Sequence, residues 1–427
     1  MEGVETESVA LIGSDPERPR RVGSARNDLP GKLAAILERF TDWLDSYGAT
    51  SWDHQSFFAG AVGSKAKELY YRHGTIGTIA VAPIIFCEAF LPSARRLFHH
   101  RIRFPIADAH YAMGFLFLYS ATGKSRYLEE ALDFLDALKK TRCPAFKEYC
   151  WGYPFDWVTR NGLLKKDTPF ITSTPYVYEA FLQAYEIEPR EEWREVMASI
   201  ARHARFDIKD FETSPKASSC SYGPSGGGGV INAAAYRAFL LFSASQFFSN
   251  DDYRQTAERN LNFVLETQNQ DGSWSYAIDG VRDFVDHFHT AFVMKALGKI
   301  HALTSDGSCY DALAKGTKYY LNNLFDEDGL PKPFSKAPRL TVYRKELYDC
   351  AECINLCLIL RQLFPDLERT IDKVINEILR SWVKPDGSFR SRRLHWGWDN
   401  VPMHRWGQSQ MFRSLAYYLS EELGEGG

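Results

Sequence analysis

The sequence has little surplus of either charge: 51 Lys and Arg stand against 54 Asp and Glu in 427 residues, a net charge of −3. Nucleic-acid binding needs a basic face that displaces counterions, so this balance argues against it. Cysteine is sparse too. The eight cysteines (87, 143, 150, 220, 309, 350, 353 and 357) are dispersed, several of them in apolar runs, which argues against a disulfide scaffold and for a reducing cytoplasm. Long apolar runs are lacking: the greasiest stretch, Thr75 to Leu91, is interrupted by Pro83 and Glu88 and is too short to cross a bilayer comfortably. Residues 1–28 have no apolar core and are expected to be a disordered tail rather than a signal peptide. Strand-like alternation of useful length is missing as well. The four glycines 226–229 lack the lysine of a phosphate-binding loop. Asp349, Cys350, Cys353 and His404 lack the spacing of a zinc signature, so no metal and no cofactor is expected.

What is present is repetition. Asp-Gly recurs at 271–272, 328–329 and 386–387, at intervals of 57 and 58 residues. Before each lies a helix with one apolar stripe, such as Tyr253, Ala257, Leu261 and Val264, opposed by Arg254, Glu258 and Arg259. After each comes a helix apolar on most sides. Six of the latter are expected, at 106–119, 175–186, 230–246, 288–303, 347–363 and 406–419, with outer partners near 126, 190, 251, 309 and 366. A sixth partner comes from 31–47 or 75–98. A helix apolar all round is buried all round, so the two kinds form concentric rings. The expected fold is all-α, a single (α/α)6 toroid over 29–427 with short hairpins in its loops.

In such a ring the loops entering the inner helices gather at one end, and here they are long: 142–172, 205–229, 269–287, 325–346 and 383–404. They carry Trp151, Tyr153, Trp157, Trp274, Trp396 and Trp398, flat rings that either stack on sugar faces or plug the loops. Polar groups at the inner-helix starts are the candidates for chemistry: Asp286, His287 and His289; Tyr348, Asp349 and Glu352; His404 and Arg405; and, earlier, Asp156, Tyr178 and Asn232. Asp286 and Asp349 are helix N-caps or catalytic carboxyls. Lysines and arginines cluster at 329–346 and 384–405, a basic rim suited to an anionic ligand. The basic run Arg95, Arg96, His99, His100, Arg101, Arg103 is a solvated helix end or a patch for anionic lipid or another polyanion.

The segments CWGYPFDW (150–157), TPFITSTPYVYE (168–179) and QNQDGSWSYAIDGVRDFVDHFHTAFVMKAL (268–297) resemble a bacterial family of exopolysaccharide and surface-polysaccharide biosynthesis with a six-hairpin glycosidase-like toroid. Its members often carry the label delta-aminolevulinic acid dehydratase, an enzyme whose β/α barrel this helix repeat cannot build. A more distant similarity, through residues 270–274 and His289-Thr290, is to toroidal terpenoid cyclases and prenyltransferases, but their metal-ligand positions hold Asn232 and Ala234 here. The resemblance implies an oligosaccharide or polysaccharide as partner, and a hydrolase, lyase or epimerase as activity. Hydrolysis needs two carboxyls among Asp156, Asp286, Asp349 and Glu352. Elimination or epimerisation needs a base among His287, His289 and Tyr348, with Arg405 neutralising a carboxylate. A non-catalytic glycan-binding component of an assembly complex, touching a membrane peripherally, and an isoprenoid enzyme are the alternatives.

Overall fold

Where apolar residues cover one face of a helix they leave it on the outside of the molecule; where they cover every face the helix is drawn in. In the computed structural model, which describes residues 29–160, 162–339 and 341–424, this rule sorts the chain into two layers. The expected tail 1–28 lies outside the described residues. Inner helices α6 (Pro105–Thr122), α8 (Thr174–Ile187), α10 (Ile231–Phe248), α12 (His287–Thr304), α14 (Leu347–Leu360) and α16 (Ser409–Gly424) alternate with outer helices α7 (Ser125–Lys140), α9 (Glu191–Arg202), α11 (Asp251–Glu266), α13 (Gly307–Asn323) and α15 (Leu367–Glu377). In α10, 15 of 18 residues are buried; in α15, only 4 of 11 are. That contrast assigns each to its layer.

Each inner helix packs on the next, and α16 returns to α6, so the inner ring closes. The sixth outer place goes to α1 (Leu29–Tyr47), whose Phe40 stacks on Phe412 at 5.1 Å and meets Phe389 at 5.3 Å. The other N-terminal stretch, 75–98, is not an outer helix. It belongs to a lobe between α1 and α6, made of α2 (Ser56–Ala59), α3 (Ala61–Arg72), α4 (Gly74–Phe90) and α5 (Arg95–Phe98). Among the described residues strands occur only as short two- and three-stranded sheets in the loops; some are the expected hairpins, whereas others join separate loops, as Thr50–Ser51 with Ile102–Arg103 and Val285–Asp286 with Phe334–Lys336.

The Asp-Gly repeat marks one turn used three times. Gly272, Gly329 and Gly387 have φ of +94°, +70° and +92°, the left-handed region that L side chains avoid. Each preceding aspartate accepts a bond from the backbone N–H two residues on, at Ser273, Leu330 and Ser388. Each glycine presses on the following outer helix: Gly272 on Lys315 of α13, Gly329 on Lys373 of α15, and Gly387 on Arg39 of α1. The turn after the last outer helix thus docks on the first. This is the ring closure written into the local sequence.

Candidate active site

All six outer-to-inner connections emerge at one end of the toroid, where the inner helices begin. There Asp286 caps α12, its Oδ1 accepting from the His289 backbone N–H at 2.9 Å. Its Oδ2 lies 2.6 Å from His289 Nδ1. A carboxylate accepts, so Nδ1 is the donor, and in the neutral ring the lone pair lies on Nε2. Nε2 has no hydrogen-bond partner among the described residues, and the His289 side chain is 20% exposed whereas Asp286 is buried. His287, two residues earlier, points the other way. A step of two turns about 200° around a helix, and His287 is buried against α13, its Nε2 2.8 Å from Tyr320 Oη. The two histidines therefore cannot share a site.

Around His289 runs a circuit of rings, most half-buried and two, Tyr348 and Phe170, buried, that outlines the mouth. Tyr276 meets His289 edge-on at 4.6 Å, and Phe288 lies 4.3 Å away on the other side. Phe288 meets Trp406 at 5.4 Å, and Trp406 stacks on Tyr348 at 4.5 Å. The Arg405 guanidinium lies between Trp406 (4.9 Å) and Tyr153 (4.5 Å). Phe170 bridges Tyr153 and Tyr222 at 5.0 and 5.4 Å. Burial raises the Tyr222 phenol, and Tyr276, Tyr153 and Arg405 all lie near enough to act on it, which closes the circuit. Trp406 is free to face inward because the chain widens into a π-type turn over His404–Gln408, with Trp406 and Gly407 out of helical geometry.

Asp53 holds Arg405 through two bonds of 2.9 and 2.7 Å. Burial is the largest influence on the Asp53 carboxyl and raises it, but the Arg405 charge, His54 and the hydrogen bonds from Arg405 and the Gln55 N–H together hold it below the usual carboxylate range. Beside it His54 packs on Trp406 at 4.4 Å. Burial keeps that imidazole neutral, against the pull of Asp53.

Deeper along the ring axis charges cross from helix to helix. Lys295 of α12 pairs with Glu352 of α14 at 2.5 Å and donates to Tyr176 Oη of α8 at 3.2 Å. Tyr176 Oη is 2.5 Å from Tyr236 Oη. Lys299 pairs with Glu179 across the ring, and Arg413 Nη1 is 3.3 Å from His110 Nδ1. Burial lowers both lysines, Lys299 to about 8, although the carboxylates oppose it. Asp349 is buried with no hydrogen-bond partner for either oxygen among the described residues. Burial, then the carboxyls of Glu346, Asp286 and Glu352, push it well above the usual range, so it stands as a neutral acid.

The structure thus brings Asp286, His289, Tyr348, Arg405, Tyr153 and Trp157 to the mouth and sets Asp349 and Glu352 beneath it. Other candidates lie elsewhere. Trp151 and Trp274 are buried plugs whose indole N–H groups donate to Leu138 O and Val264 O at the ends of outer helices. Tyr178 is buried in the wall, where burial raises its phenol and Ser243 and Tyr253 are its neighbours. Asp156 ties a hairpin through Lys166 N and Lys165. His404 is pinned between Tyr111 Oη (2.6 Å) and Gly48 O (2.9 Å). Trp398 wedges edge-on against Trp382 at 5.0 Å, and Trp396 stands 72% exposed on a hairpin tip. Asn232 is buried at the start of α10 with its Oδ1 unpartnered. Among the described residues no group of three or more His, Cys, Asp or Glu is placed to hold a metal ion.

No protein-family model matches the sequence, and no curated protein does. Solved structures do. One is a possible member of the GH105 family from Salmonella enterica serovar Paratyphi A, at 12% identity over 96% of this chain and 98% of that one, with a TM-score of 0.62. Cellobiose 2-epimerase from Bacillus thermoamylovorans aligns at 9% identity over 75% and 88%, TM-score 0.58. A D-mannose isomerase aligns at 13% identity over 75% and 87%, TM-score 0.56. The fold is a six-hairpin glycosidase-like toroid.

In this toroid the basic rim takes shape as a pocket of about 490 Å³ beside the mouth, between loop 326–345 and the hairpin tip at 393–395. Lys345 is neutralised there by Asp326 and Asp328, at 2.6 and 3.1 Å. Lys332, Arg339, Arg344 and Arg393 line the same pocket and have no carboxylate partner among the described residues. Arg339 also reaches toward the mouth. Burial first, then the Arg339 charge, lowers the Lys67 amine to about 8, and Lys67 lies 5.9 Å from the Trp157 ring.

Residues 53–54 and Lys295 escaped the sequence reading. The first pair sits in the loop 48–104, which the repeat does not mark. Lys295 had a usable signal: a lysine amid FVMKALGK in an all-round apolar helix is a buried charge that needs a partner.

Proposed function

We propose that this chain is a carbohydrate-active enzyme that moves a proton on an acidic glycan, and that His289 is its base. The Asp286–His289 pair carries this reading. A buried carboxylate fixes one imidazole nitrogen as donor and leaves the other, partly exposed, at a mouth ringed by aromatics, where the neutral ring can accept a proton. The half-buried Trp406 and Phe288 offer ring surface to a sugar, and the Arg405–Asp53 pair lies beside them, its guanidinium on the side where a carboxylate would become electron-rich. In elimination at a uronate, His289 takes the carbon-bound proton, its electron pair forms the double bond, and the leaving oxygen departs with a proton from water or a neighbouring acid. In epimerisation a second donor, water or a neighbouring acid, protonates the carbon from the opposite face. The likeness in fold to epimerases, an isomerase and a polysaccharide lyase supports sugar proton chemistry of this kind. The unpaired cations beside the mouth favour an anionic chain, the sequence resemblance favours a role in polysaccharide biosynthesis, and the dispersed cysteines in apolar runs favour the cytoplasm.

A second reading, hydrolysis, draws on Asp349. A neutral buried carboxyl near a second carboxyl, Asp286, is the pairing that acid-assisted glycoside cleavage uses. The isoprenoid alternative fits poorly, since Lys295, Glu352, Lys299, Glu179 and Arg413 all bring charge to the ring axis.

Incubation with uronate-containing oligosaccharides in D2O separates these. Either deuterium at a sugar carbon (epimerisation) or a new unsaturated uronate end without it (elimination), lost in His289→Gln, is the expected result. Gain of water without carbon-bound deuterium, abolished by Asp349→Asn, would replace it with the hydrolase reading. A sugar that binds and stays unchanged would mark a non-catalytic binder.

A further inference from the structure

The lobe between α1 and α6 carries an apolar surface unlike the rest of the protein. Among the described residues, 17 large hydrophobics stand exposed, and nine of them lie between Val62 and Leu97. Helix α4 is the centre of it: Ile76, Ile79, Phe86 and Phe90 are 66, 68, 56 and 47% exposed, and only Gly77, Val81 and Ile84 of its 17 residues are buried. A soluble helix hides such residues; here they face out. The single charge of α4, Glu88, turns inward to Arg392 at 2.9 Å, so the outward face has none. Leu97 is 87% exposed on α5, and Trp396, on the neighbouring hairpin tip, stacks on Phe90 at 5.5 Å.

Charge at the edge of this face says what covers it. The basic run 95–103 is partly structural: Arg95 is buried against Asp399 at 2.6 Å, Arg101 donates to Tyr47 O and Thr50 O, and Arg103 binds Asp108. Arg96 and His100 remain exposed beside Leu97, and Arg344 and Arg393 flank Trp396. None of these four has a carboxylate partner among the described residues. An uncharged apolar face, fringed by cations and an exposed tryptophan, matches the depth profile of an anionic bilayer surface. Among the described residues no single helix is long and apolar enough to cross a membrane, and α4 and the segment after it are bent by 118°.

We propose that the outward face of α4, with Leu97 and Trp396 at its edge, docks into the interfacial layer of an anionic lipid bilayer. Since the lobe occupies the first outer-to-inner connection and α2 and α3 pack on strand Trp157–Thr159, docking sets the mouth of the toroid against the headgroups. This inference does not depend on the reaction proposed above.

The test is co-sedimentation of the full chain with phosphatidylglycerol–phosphatidylcholine vesicles and with phosphatidylcholine alone. Wild type is expected to sediment with the anionic vesicles, and Ile79→Asp combined with Phe86→Asp to lose at least about tenfold in binding with an unchanged melting temperature, both residues being exposed. Arg96→Ala with Arg393→Ala is expected to weaken binding to the anionic vesicles alone, an effect that added salt removes. Wild type left in the supernatant at low salt, or binding that the Asp variants retain, would overturn the proposal. So would a dimer in the ultracentrifuge that the Asp variants split, which would identify a second copy as the occupant.

Discussion

The loops after α11, α13 and α15 and the segment between α1 and α6 occupy equivalent places in the ring, and they are built by opposite means. Each of the three loops turns on an Asp-Gly pair that docks on the next outer helix. The first connection turns at Gly48, with φ of +83°, and is fastened from a distance, by His404 on Gly48 O and Arg101 on Tyr47 O. It then grows a helical lobe, and contributes Asp53 and His54 to the mouth. The difference teaches that repetition makes the ring, whereas the groups that distinguish this toroid sit where repetition lapses.

That contrast can be broken or sharpened, starting with the mouth. His289→Gln is expected to cut turnover about a thousandfold while leaving the melting temperature in place. His287→Gln, on the far side of the same helix, is expected to cost about 1–2 kcal/mol of stability through its bond to Tyr320 and to spare turnover. Equal kinetic losses in both would mean the two faces of α12 are not functionally distinct.

Next is the fastening of the first connection. Asp53→Ala leaves the buried Arg405 uncompensated and is expected to cost about 3–5 kcal/mol in a denaturant titration, with Asp53→Asn costing less. A neutral outcome would show that Arg405 reaches solvent.

His404 gives the pH dependence. Burial holds it to about 4 from an ordinary 6.5, although the bond to Gly48 O opposes this. Between those values the unfolded chain binds a proton that the folded chain refuses. The contribution is therefore complete above pH 6.5 and disappears as pH falls to 4, about 3 kcal/mol in all. In His404→Gln the slope of unfolding free energy over that window is expected to flatten.

The Asp-Gly turns differ among themselves. Gly387→Ala would set a Cβ 2.5 Å from Arg39 O, a backbone atom, and is expected to destabilise by about 2 kcal/mol or more. Gly329→Ala meets only the Lys373 side chain, which can swing away, so about 1–2 kcal/mol is expected from the left-handed backbone alone. A melting series that ranks them in the reverse order would show that α1 does not receive the closing turn.

Much of the fold was legible because the signals are local. Burial on every side of α10 and on one stripe of α15 follows from residue periodicity, and each Asp-Gly turn is set by two residues. The candidate site was legible only in part. Asp286 and His289 announced themselves by spacing, but the same spacing put His287 beside them, and only helical geometry separates the two. Trp151 and Trp274 have the composition of sugar-stacking residues; that their indoles reach Leu138 O and Val264 O depends on where two helices end. Asp53 and His54 meet residues about 350 positions away, and no local pattern encodes that distance.

By itself, then, the sequence determined the alternation of half-buried and fully buried helices, the turn at each Asp-Gly, and hence a closed helical ring, because helix amphipathicity and left-handed glycine are properties of neighbouring residues. Tertiary structure alone decided which of two N-terminal helices closes that ring, which histidine looks into the mouth, and that α4 is left uncovered. Those outcomes depend on where distant side chains are brought in space, and a buried Arg405 or an exposed Phe86 is defined only by what does or does not arrive beside it.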